Sequence, residues 1–417
     1  MKKNILNIKG TKDILPNETL VWRYLSEYIH EFFRQHGYKE IINPIFEDTS
    51  LFNRSIGKET DIVSKEMYSW TDQGNNNLTL RPEFTASVVR SYIQHQLGKQ
   101  NALHKLYYLG DAFRRERPQK GRFRQFRQFG IEALGSNFPE QDAEIISIAY
   151  KLYHSLKIQN LQLKINSIGS KESRISYKND LKSYLEKYKS DLTETSRYRL
   201  KTNPLRILDT KVDFEKEIIA DAPVILDYLN SEDREHFSYV KDFLKQLNIS
   251  YEIDNKLVRG LDYYSKTVFE IHHGSLGGQN ALCGGGRYDY LVEELGGPST
   301  PAIGFAAGFE RLLMAVDSSS FGINSDADIY IISLGKNAIG YSLDLAAKLR
   351  SNSNFIVVTD MLQKTMKSQM KDANRMNCKY MLIIGDDEIS KNIIQVKNME
   401  TGNQESVDLS NLIKYFS

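Results

Sequence analysis

The chain has 417 residues, 41% of them hydrophobic and 26% charged, with a formal net charge of +2. Those figures fit about two to four ordinary globular domains and exclude collagen-like, mucin-like and fully disordered chains. So small a net charge announces no nucleic-acid partner, and any such partner has to be read from local patches.

In chain order, a turn-rich lead-in ends at Gly10-Thr11-Lys12-Asp13-Ile14-Leu15-Pro16. From Thr19 to Gln35, Leu20, Tyr24, Leu25, Tyr28, Ile29, Phe32 and Phe33 fall at helical spacing, and Gly37 stops the helix. Tyr38 to Pro44 reads as a strand that ends at its proline. Residues 78–81 are strand-like, with a helix from about Pro82. Tyr107–Phe113 and Arg122–Leu134 read as two strands of an antiparallel hairpin, turned at Pro118-Gln119-Lys120-Gly121. A helix over 140–157 and a strand over 161–166 follow. Residues 170–250, charged and free of glycine, read as a helical insertion. Strands return at 257–273 and 279–286, and 301–317 reads as a last helix with a glycine-rich beginning. The serine-rich stretch Asp317–Ser325 is the best boundary, giving domains 1–325 and 326–417. The second alternates strands (Asp328–Leu334, Phe355–Thr359, Tyr380–Ile384) with helices (337–351, 364–376), the pattern of an α/β sandwich.

No apolar run reaches the roughly eighteen residues of a membrane span, so no membrane partner is expected. Met1-Lys2-Lys3-Asn4 has no apolar stretch behind it, which argues against a secretory signal. The two cysteines, Cys283 and Cys378, suit a reducing, cytoplasmic setting. No metal site is expected from the histidines. His272 and His273 are adjacent, so on a strand they point to opposite faces, and no His-Glu-x-x-His occurs. The glycines of 274–278 are not followed by the Gly-Lys-Ser/Thr of a phosphate loop.

The densest chemical signal is residues 111–127, with seven basic and two acidic side chains. On a strand, Arg122, Arg124, Phe126 and Gln128 would share one face. Guanidinium groups bind phosphate bidentately and a ring can stack on a base, so that face suits a polyphosphate joined to a purine. The same composition suits a basic RNA-binding hairpin or a merely solvated one.

Phe113-Arg114-Arg115-Glu116 with Arg122-Phe123-Arg124-Gln125-Phe126 resembles motif 2 of class II aminoacyl-tRNA synthetases. The helix and strand that end at Pro44 resemble motif 1, the dimer-interface element. Gly304-Phe305-Ala306-Ala307-Gly308-Phe309-Glu310-Arg311 resembles motif 3. Leu257-Val258-Arg259-Gly260-Leu261-Asp262-Tyr263-Tyr264 and Ala281-Leu282-Cys283-Gly284-Gly285-Gly286-Arg287-Tyr288-Asp289 resemble the two signature peptides of the histidyl-tRNA synthetase family. Gly57 to Val63 and Leu80-Arg81-Pro82-Glu83 support the resemblance, which spans residues 8 to about 316. It implies an α+β catalytic domain, an antiparallel sheet with flanking helices, followed by an α/β anticodon-binding domain.

What the resemblance implies of function is ATP-dependent activation of L-histidine, then transfer to the 3′ end of histidine tRNA, by a homodimer. ATP is then a substrate, with Mg²⁺ accompanying it on protein ligands the sequence does not reveal. The implied catalytic set is Arg259, Arg114 and Gln128. Arg114 would bridge substrate carboxylate and α-phosphate, Arg259 would approach that phosphate from the other side, and Arg311 would hold the γ-phosphate end. Glu116 would accept from the adenine amino group and Phe126 would stack on the ring. Glu83, Thr85 and Gln128 would take the α-ammonium. Glu132 and Tyr264, with Tyr263 beside it, would read the imidazole. Phe84, in the same segment at a position where the family usually has glycine, is expected among the histidine-binding residues. An isolated Tyr263-Tyr264 pair would otherwise be core packing, and Gly284–Gly286 could serve a close approach or a tight turn. The competing reading is a regulatory paralogue of ATP phosphoribosyltransferase without synthetase activity. Another is a class II synthetase for glycine, proline or threonine, which would lack the 257–264 peptide.

Overall fold

Helical spacing after Pro16 is realised as the helix Pro16–Gln35. Its proline sits in the first turn, where a missing N–H has no intrahelical partner to lose. Leu25, Ile29 and Phe33 are fully buried along one face. The computed structural model describes residues 4–57, 60, 62–119, 121–274, 281–321 and 327–416. Lys58, Glu59, Asp61, Lys120, most of the 274–278 glycine stretch and residues 322–326 of the serine-rich boundary lie outside the described residues. Chain contacts divide the molecule into two units, Met1–Ser318 and Ser319–Ser417.

The strands of the first unit are β1 Lys39–Glu40, β2 Phe46–Asp48, β3 Tyr68–Thr71, β4 Asn77–Leu80, β5 His104–Phe113, β6 Gln125–Leu134, β7 Leu161–Ser167, β8 Glu252–Ile253, β9 Ser265–His273, β10 Ala281–Arg287 and β11 Ala302–Gly308. Eight form one sheet in the order β1-β5-β6-β11-β10-β9-β7-β8, and β2-β4-β3 form a small one. The central pairs of the large sheet are antiparallel, with parallel pairs only at its two edges. One face is closed by the helix Pro16–Gln35. There Phe33 meets Phe129 and Phe305, with ring centroids 6.3 and 6.2 Å apart. The chain leaves the sheet at β7 and returns at neighbouring β8, and the excursion between them is helical, with its own core around Tyr177, Leu181, Leu185 and Leu200.

Four sequence expectations change. Residues 302–308, expected as helix, are strand β11 between β6 and β10, and the helix is only Phe309–Ala315. A strand covered on both faces shows no alternation, so its Gly-Ala-rich run carries no period-2 signal. The strand expected over Tyr38–Pro44 is only Lys39–Glu40, because the chain leaves the ladder at exposed Ile42 on the way to Pro44. The strand expected from Arg122 starts at Gln125, so Arg122 and Arg124 belong to the preceding loop rather than to a shared strand face. Residues 257–264 are irregular, and β9 starts only at Ser265.

The second unit follows its predicted alternation. β12 Ile329–Leu334, β13 Val357–Thr359, β14 Tyr380–Gly385, β15 Ile393–Asn398 and β16 Gln404–Asp408 make one sheet in the order β13-β12-β14-β15-β16. Ile329, Ile331 and Leu382 pack on one side with Leu345 and Leu349, while Tyr330, Ile332 and Met381 pack on the other with Ala373.

Behind β10, the fully buried Arg287 is ion-paired to Asp142 and, at 3.1 Å, to Asp289. His236 of the insertion meets the same Asp142 at 2.8 Å. Burial alone would raise the Asp142 carboxyl, but the Arg287 guanidinium and the His236 contact outweigh it and hold it down to about 2. Removing one partner from a buried ion pair leaves a desolvated charge behind, so Arg287→Met is expected to cost about 3 kcal/mol or more of unfolding free energy. Denaturant titration reads this, and a loss below about 1 kcal/mol would make the pair incidental.

Candidate active site

The β5–β6 hairpin sets the site's geometry. Its register pairs Leu106 with Glu132, Gly110 with Gln128 and Ala112 with Phe126. Phe126, Gln128 and Glu132 therefore share one face of β6, opposite the face whose Phe129 packs on Phe33. On that face lies a cavity of about 210 Å³. Glu83, Thr85, Arg114, Glu116, Phe126, Gln128, Glu132, Arg259, Tyr263, Tyr264 and Arg311 all line it, brought from four separate stretches of chain. Phe84 does not. Its buried ring stacks parallel on Tyr108, centroids 4.4 Å apart, with the Arg81 guanidinium 4.0 Å above the ring. Gly110 leaves room for that arrangement, since a Cβ there would sit 3.1 Å from the Phe84 ring. Phe84 thus faces the core, and its expected place among the ligand-contacting residues is withdrawn.

One end of the cavity is acidic and dry. Glu132 is 1% exposed. Thr85 Oγ1 donates to it at 2.8 Å, Tyr288 Oη at 2.6 Å and Tyr108 Oη at 3.4 Å. Gly304 lies directly against the carboxylate, and a Cβ there would collide with it. Burial pushes the Glu132 carboxyl up to about 8 in spite of these donors, and the nearby Glu83 adds to the rise. Glu83 is itself raised by burial, although the backbone N–H groups of Thr85 and Ala86 donate to its two oxygens at 2.6 and 2.9 Å. Those two N–H groups belong to the first turn of the helix Thr85–Gln94, where they have no intrahelical partner. The Tyr263 and Tyr264 rings lie 4.7 Å apart at 42°.

The other end is cationic. Arg114 Nε donates to the Pro82 carbonyl at 2.9 Å, and its guanidinium lies 5.3 Å from the centre of the Phe126 ring. Glu116 pairs with Arg122 at 2.8 Å and lies 3.8 Å from Arg114. Arg311 donates to the Ala281 carbonyl at 2.8 Å. Burial, and then the like charges of Arg122 and Arg114, lower its pKa. Arg259 is ion-paired to Glu270, which also meets His272 at 2.7 Å. Burial opposes the Arg259 charge, but Glu270 together with Tyr264 and Tyr263 outweighs it and holds the group firmly protonated. The guanidinium lies across β10 at Gly284, where a Cβ would strike it, so the first of the three glycines serves a close approach.

Between the two ends, the buried Oε1 of Gln128 has no hydrogen-bond partner among the described residues. A buried polar atom left unmet typically costs about 1–3 kcal/mol, so the cavity is incomplete without a polar guest. Sequence reasoning gave no role to Tyr108, Tyr288 or Glu270, and it set Arg122 on a phosphate-binding strand face, whereas its guanidinium pairs with Glu116 from the loop. Tyr288 sits inside a quoted signature peptide, and Tyr108 is visible only through the hairpin register that sets it beside Gly130.

A carboxyl that titrates near 8 when folded and at 4.5 unperturbed contributes stability that is complete below 4.5 and lost as pH rises through 8. Glu132→Gln removes that loss. The melting temperature of the wild type relative to this variant is therefore expected to fall between about pH 5 and pH 8.5. A constant difference would place the carboxyl in water.

Residues 10–312 match the family described as histidyl-tRNA synthetase, and residues 328–417 match the anticodon binding domain. The histidine–tRNA ligase of Geobacillus sp. strain WCH70 is 46% identical over 412 residues, covering 98% of this chain and 97% of that protein. The histidine–tRNA ligase of Staphylococcus saprophyticus is 45% identical over 419 residues, covering 99% of this chain and 100% of its own length. The crystal structure of S. aureus histidyl-tRNA synthetase matches with a TM-score of 0.84 at 40% identity, over 99% of this chain and 100% of that one. A Bacillus halodurans ATP phosphoribosyltransferase regulatory subunit/histidyl-tRNA synthetase shares the fold, with a TM-score of 0.66 at 21% identity over 92% of this chain and 99% of that one.

Proposed function

The chain belongs to the histidyl-tRNA synthetase family, and from that premise we propose how its own side chains carry the reaction. The activity is that of a histidine–tRNA ligase of class II. It activates L-histidine with ATP to histidyl-adenylate and transfers the histidyl group to the 3′ end of histidine tRNA. The comparisons do not support the regulatory alternative: the two full-length relatives named above, at 46% and 45% identity, are histidine–tRNA ligases.

The observation that carries the residue assignment is the polarity of one cavity, a buried neutral acid at one end and guanidinium groups around a ring at the other. Histidine enters with its imidazole at Glu132 and Tyr264, Tyr263 lying beside them. Its α-ammonium takes the region of Glu83, Thr85 and the unmet Gln128 oxygen. A carboxyl held neutral can donate to one ring nitrogen, or pass its proton to the ring and accept it back as a hydrogen bond. Phenylalanine would leave that group unpaired, and sites of this kind reject such analogues by about 10⁴-fold or more.

At the cationic end, a carboxylate oxygen of histidine attacks the α-phosphorus, the bond to the β-phosphate oxygen breaks, and pyrophosphate leaves. Arg114 and Arg259 approach the α-phosphate from opposite sides, and fixed charge in a dry site stabilises that transition state. Arg311 holds the γ-phosphate, Phe126 stacks on adenine and Glu116 accepts from its amino group. The terminal adenosine hydroxyl of the tRNA then attacks the activated carbonyl and AMP departs. Magnesium enters on the triphosphate. Of the carboxylates lining that end, Glu116 and Glu270 are engaged with arginine side chains and Glu310 accepts from the Arg127 backbone N–H at 2.9 Å, and no cluster of three metal-binding side chains occurs among the described residues.

The domain division is proposed at the serine-rich stretch, with 326–417 reading the anticodon. A homodimer through motif 1 is supported by exposed apolar side chains at Ile42, Ile45 and Phe46. A cytoplasmic location is supported by two buried, unpaired cysteines. No helix among the described residues is long and apolar enough to cross a membrane.

Arg259→Ala is expected to slow single-turnover adenylate formation by roughly a hundredfold, while histidine and ATP dissociation constants change far less. Histidine-dependent ATP–pyrophosphate exchange supplies the baseline. A variant that forms adenylate at the wild-type rate would remove Arg259 from the transition state.

A further inference from the structure

The helical insertion has no part in the chemistry above, yet it touches the segment that supplies Arg259, Tyr263 and Tyr264. Residues 257–264 run outside any helix or strand, so their backbone groups have no ladder; Leu257 N and Asp262 N donate to the Asp254 and Ile56 carbonyls, and several of the rest are met by side chains. Asn166 Nδ2 donates to the Leu257 carbonyl at 3.1 Å. Arg206 Nη2 donates to the Gly260 carbonyl at 3.3 Å, and Arg174 Nη1 to the Tyr264 carbonyl at 2.7 Å. Asn203 Nδ2 donates to the Asp262 carboxylate at 2.9 Å. Three of these four side chains come from the insertion, and Val258 packs against its core.

The shortest bond, from Arg174, is charge-assisted and half-buried. Its base is rigid. Arg174 lies in the first turn of the helix Lys171–Glu186, where Ser170 N and Ser173 Oγ both donate to Asp233 Oδ2 at 2.8 Å. Asp233 in turn sits at the start of the helix Ser231–Gln246, whose His236 meets Asp142. The carbonyl that Arg174 holds belongs to Tyr264, whose ring lies 5.6 Å from the Arg259 guanidinium.

We propose that the helical insertion clasps the 257–264 segment and that Arg174 is a positioning residue for Arg259 and Tyr264 in histidine activation. The proposal rests on the assignment of Arg259 to the α-phosphate. A small displacement of a group aimed at the reacting centre is enough to slow chemistry without touching ligand contacts elsewhere. Loss of the clasp therefore changes the adenylation rate while ATP binding stays put.

The test is a cycle of single-turnover adenylation rates. Arg174→Met keeps the aliphatic stem and removes the donors, and it is expected to slow adenylation about tenfold with the ATP dissociation constant within about twofold. Arg174→Lys, which keeps a donor, should recover to within about threefold of wild type. In an Arg259→Ala background, Arg174→Met should cost less than about threefold, because one of the two groups it positions is gone. A wild-type rate in Arg174→Met overturns the proposal, as does an equal loss in both backgrounds, which would mark a general structural role. If Arg259→Ala alone keeps the wild-type rate, the assignment of Arg259 fails by itself, and the clasp is judged by the same cycle against Tyr264→Phe. Should Arg174→Met not fold, Asn203→Ala is expected to slow adenylation about threefold, with that loss reduced in the Arg259→Ala background. No slowing, or an undiminished one, rejects the clasp.

Discussion

One buried carboxyl organises this site. Glu132 projects from β6 into a space closed to solvent on the outside, being 1% exposed, and its neighbours are arranged around that burial. A glycine on β11 lets the carboxyl lie against the strand. Hydroxyls arrive from the start of the helix Thr85–Gln94, from β5 and from just past β10. Four stretches far apart in sequence thus converge on two oxygen atoms. Desolvation still wins over three hydroxyl donors and keeps the group protonated near neutrality. The consequence is selective: a heteroaromatic ring with one donor and one acceptor satisfies such a group, and a hydrocarbon ring does not.

The opposite end reverses the logic. There the charges are permanent and are kept from repelling one another by paired carboxylates, Glu116 against Arg122 and Arg114, and Glu270 against Arg259. Such pairing holds guanidinium groups in fixed directions before the phosphates arrive, so little reorganisation is left for the reaction itself. Arg311 retains mainly a backbone partner, with its pKa lowered by burial and by its arginine neighbours. An anion entering here relieves a strain that already exists. The reaction couples the two ends, because the amino acid's carboxylate is delivered to the phosphate only when its side chain is seated.

Much of this was legible in the residues. The hairpin at 104–134 declared itself through its turn, and the second unit through alternating apolar strands and helices. Gln128 and Glu132 share a face by parity alone once β6 is placed. What failed to show has physical causes. β11 is buried on both sides and rich in glycine and alanine, so its pattern mimics the start of a helix. Residues 257–264 read as a strand because they are largely apolar, but their backbone is held by Arg174 and Arg206 from a region the sequence marks only as charged and helical. Tyr288 and Tyr108 act across the sheet, and no local spacing announces a contact between residues 132 and 288. Phe84 needs the Arg81 and Tyr108 geometry before it can be assigned to the core.

The central claim is that Glu132, neutral in the free protein, reads the imidazole. Calorimetric titration of histidine against pH, in wild type and Glu132→Gln, tests it most directly. The free ring gains a proton below about 6.5, and that proton has to be shed on binding. The free carboxyl loses its proton above about 8 and must regain it. Wild-type affinity is therefore expected to be level between these limits and to fall on both sides, approaching tenfold per pH unit, while Glu132→Gln keeps the acid fall and loses the alkaline one between about pH 8 and pH 9. A wild-type affinity that keeps rising above pH 8, or an identical profile in the variant, would contradict the account.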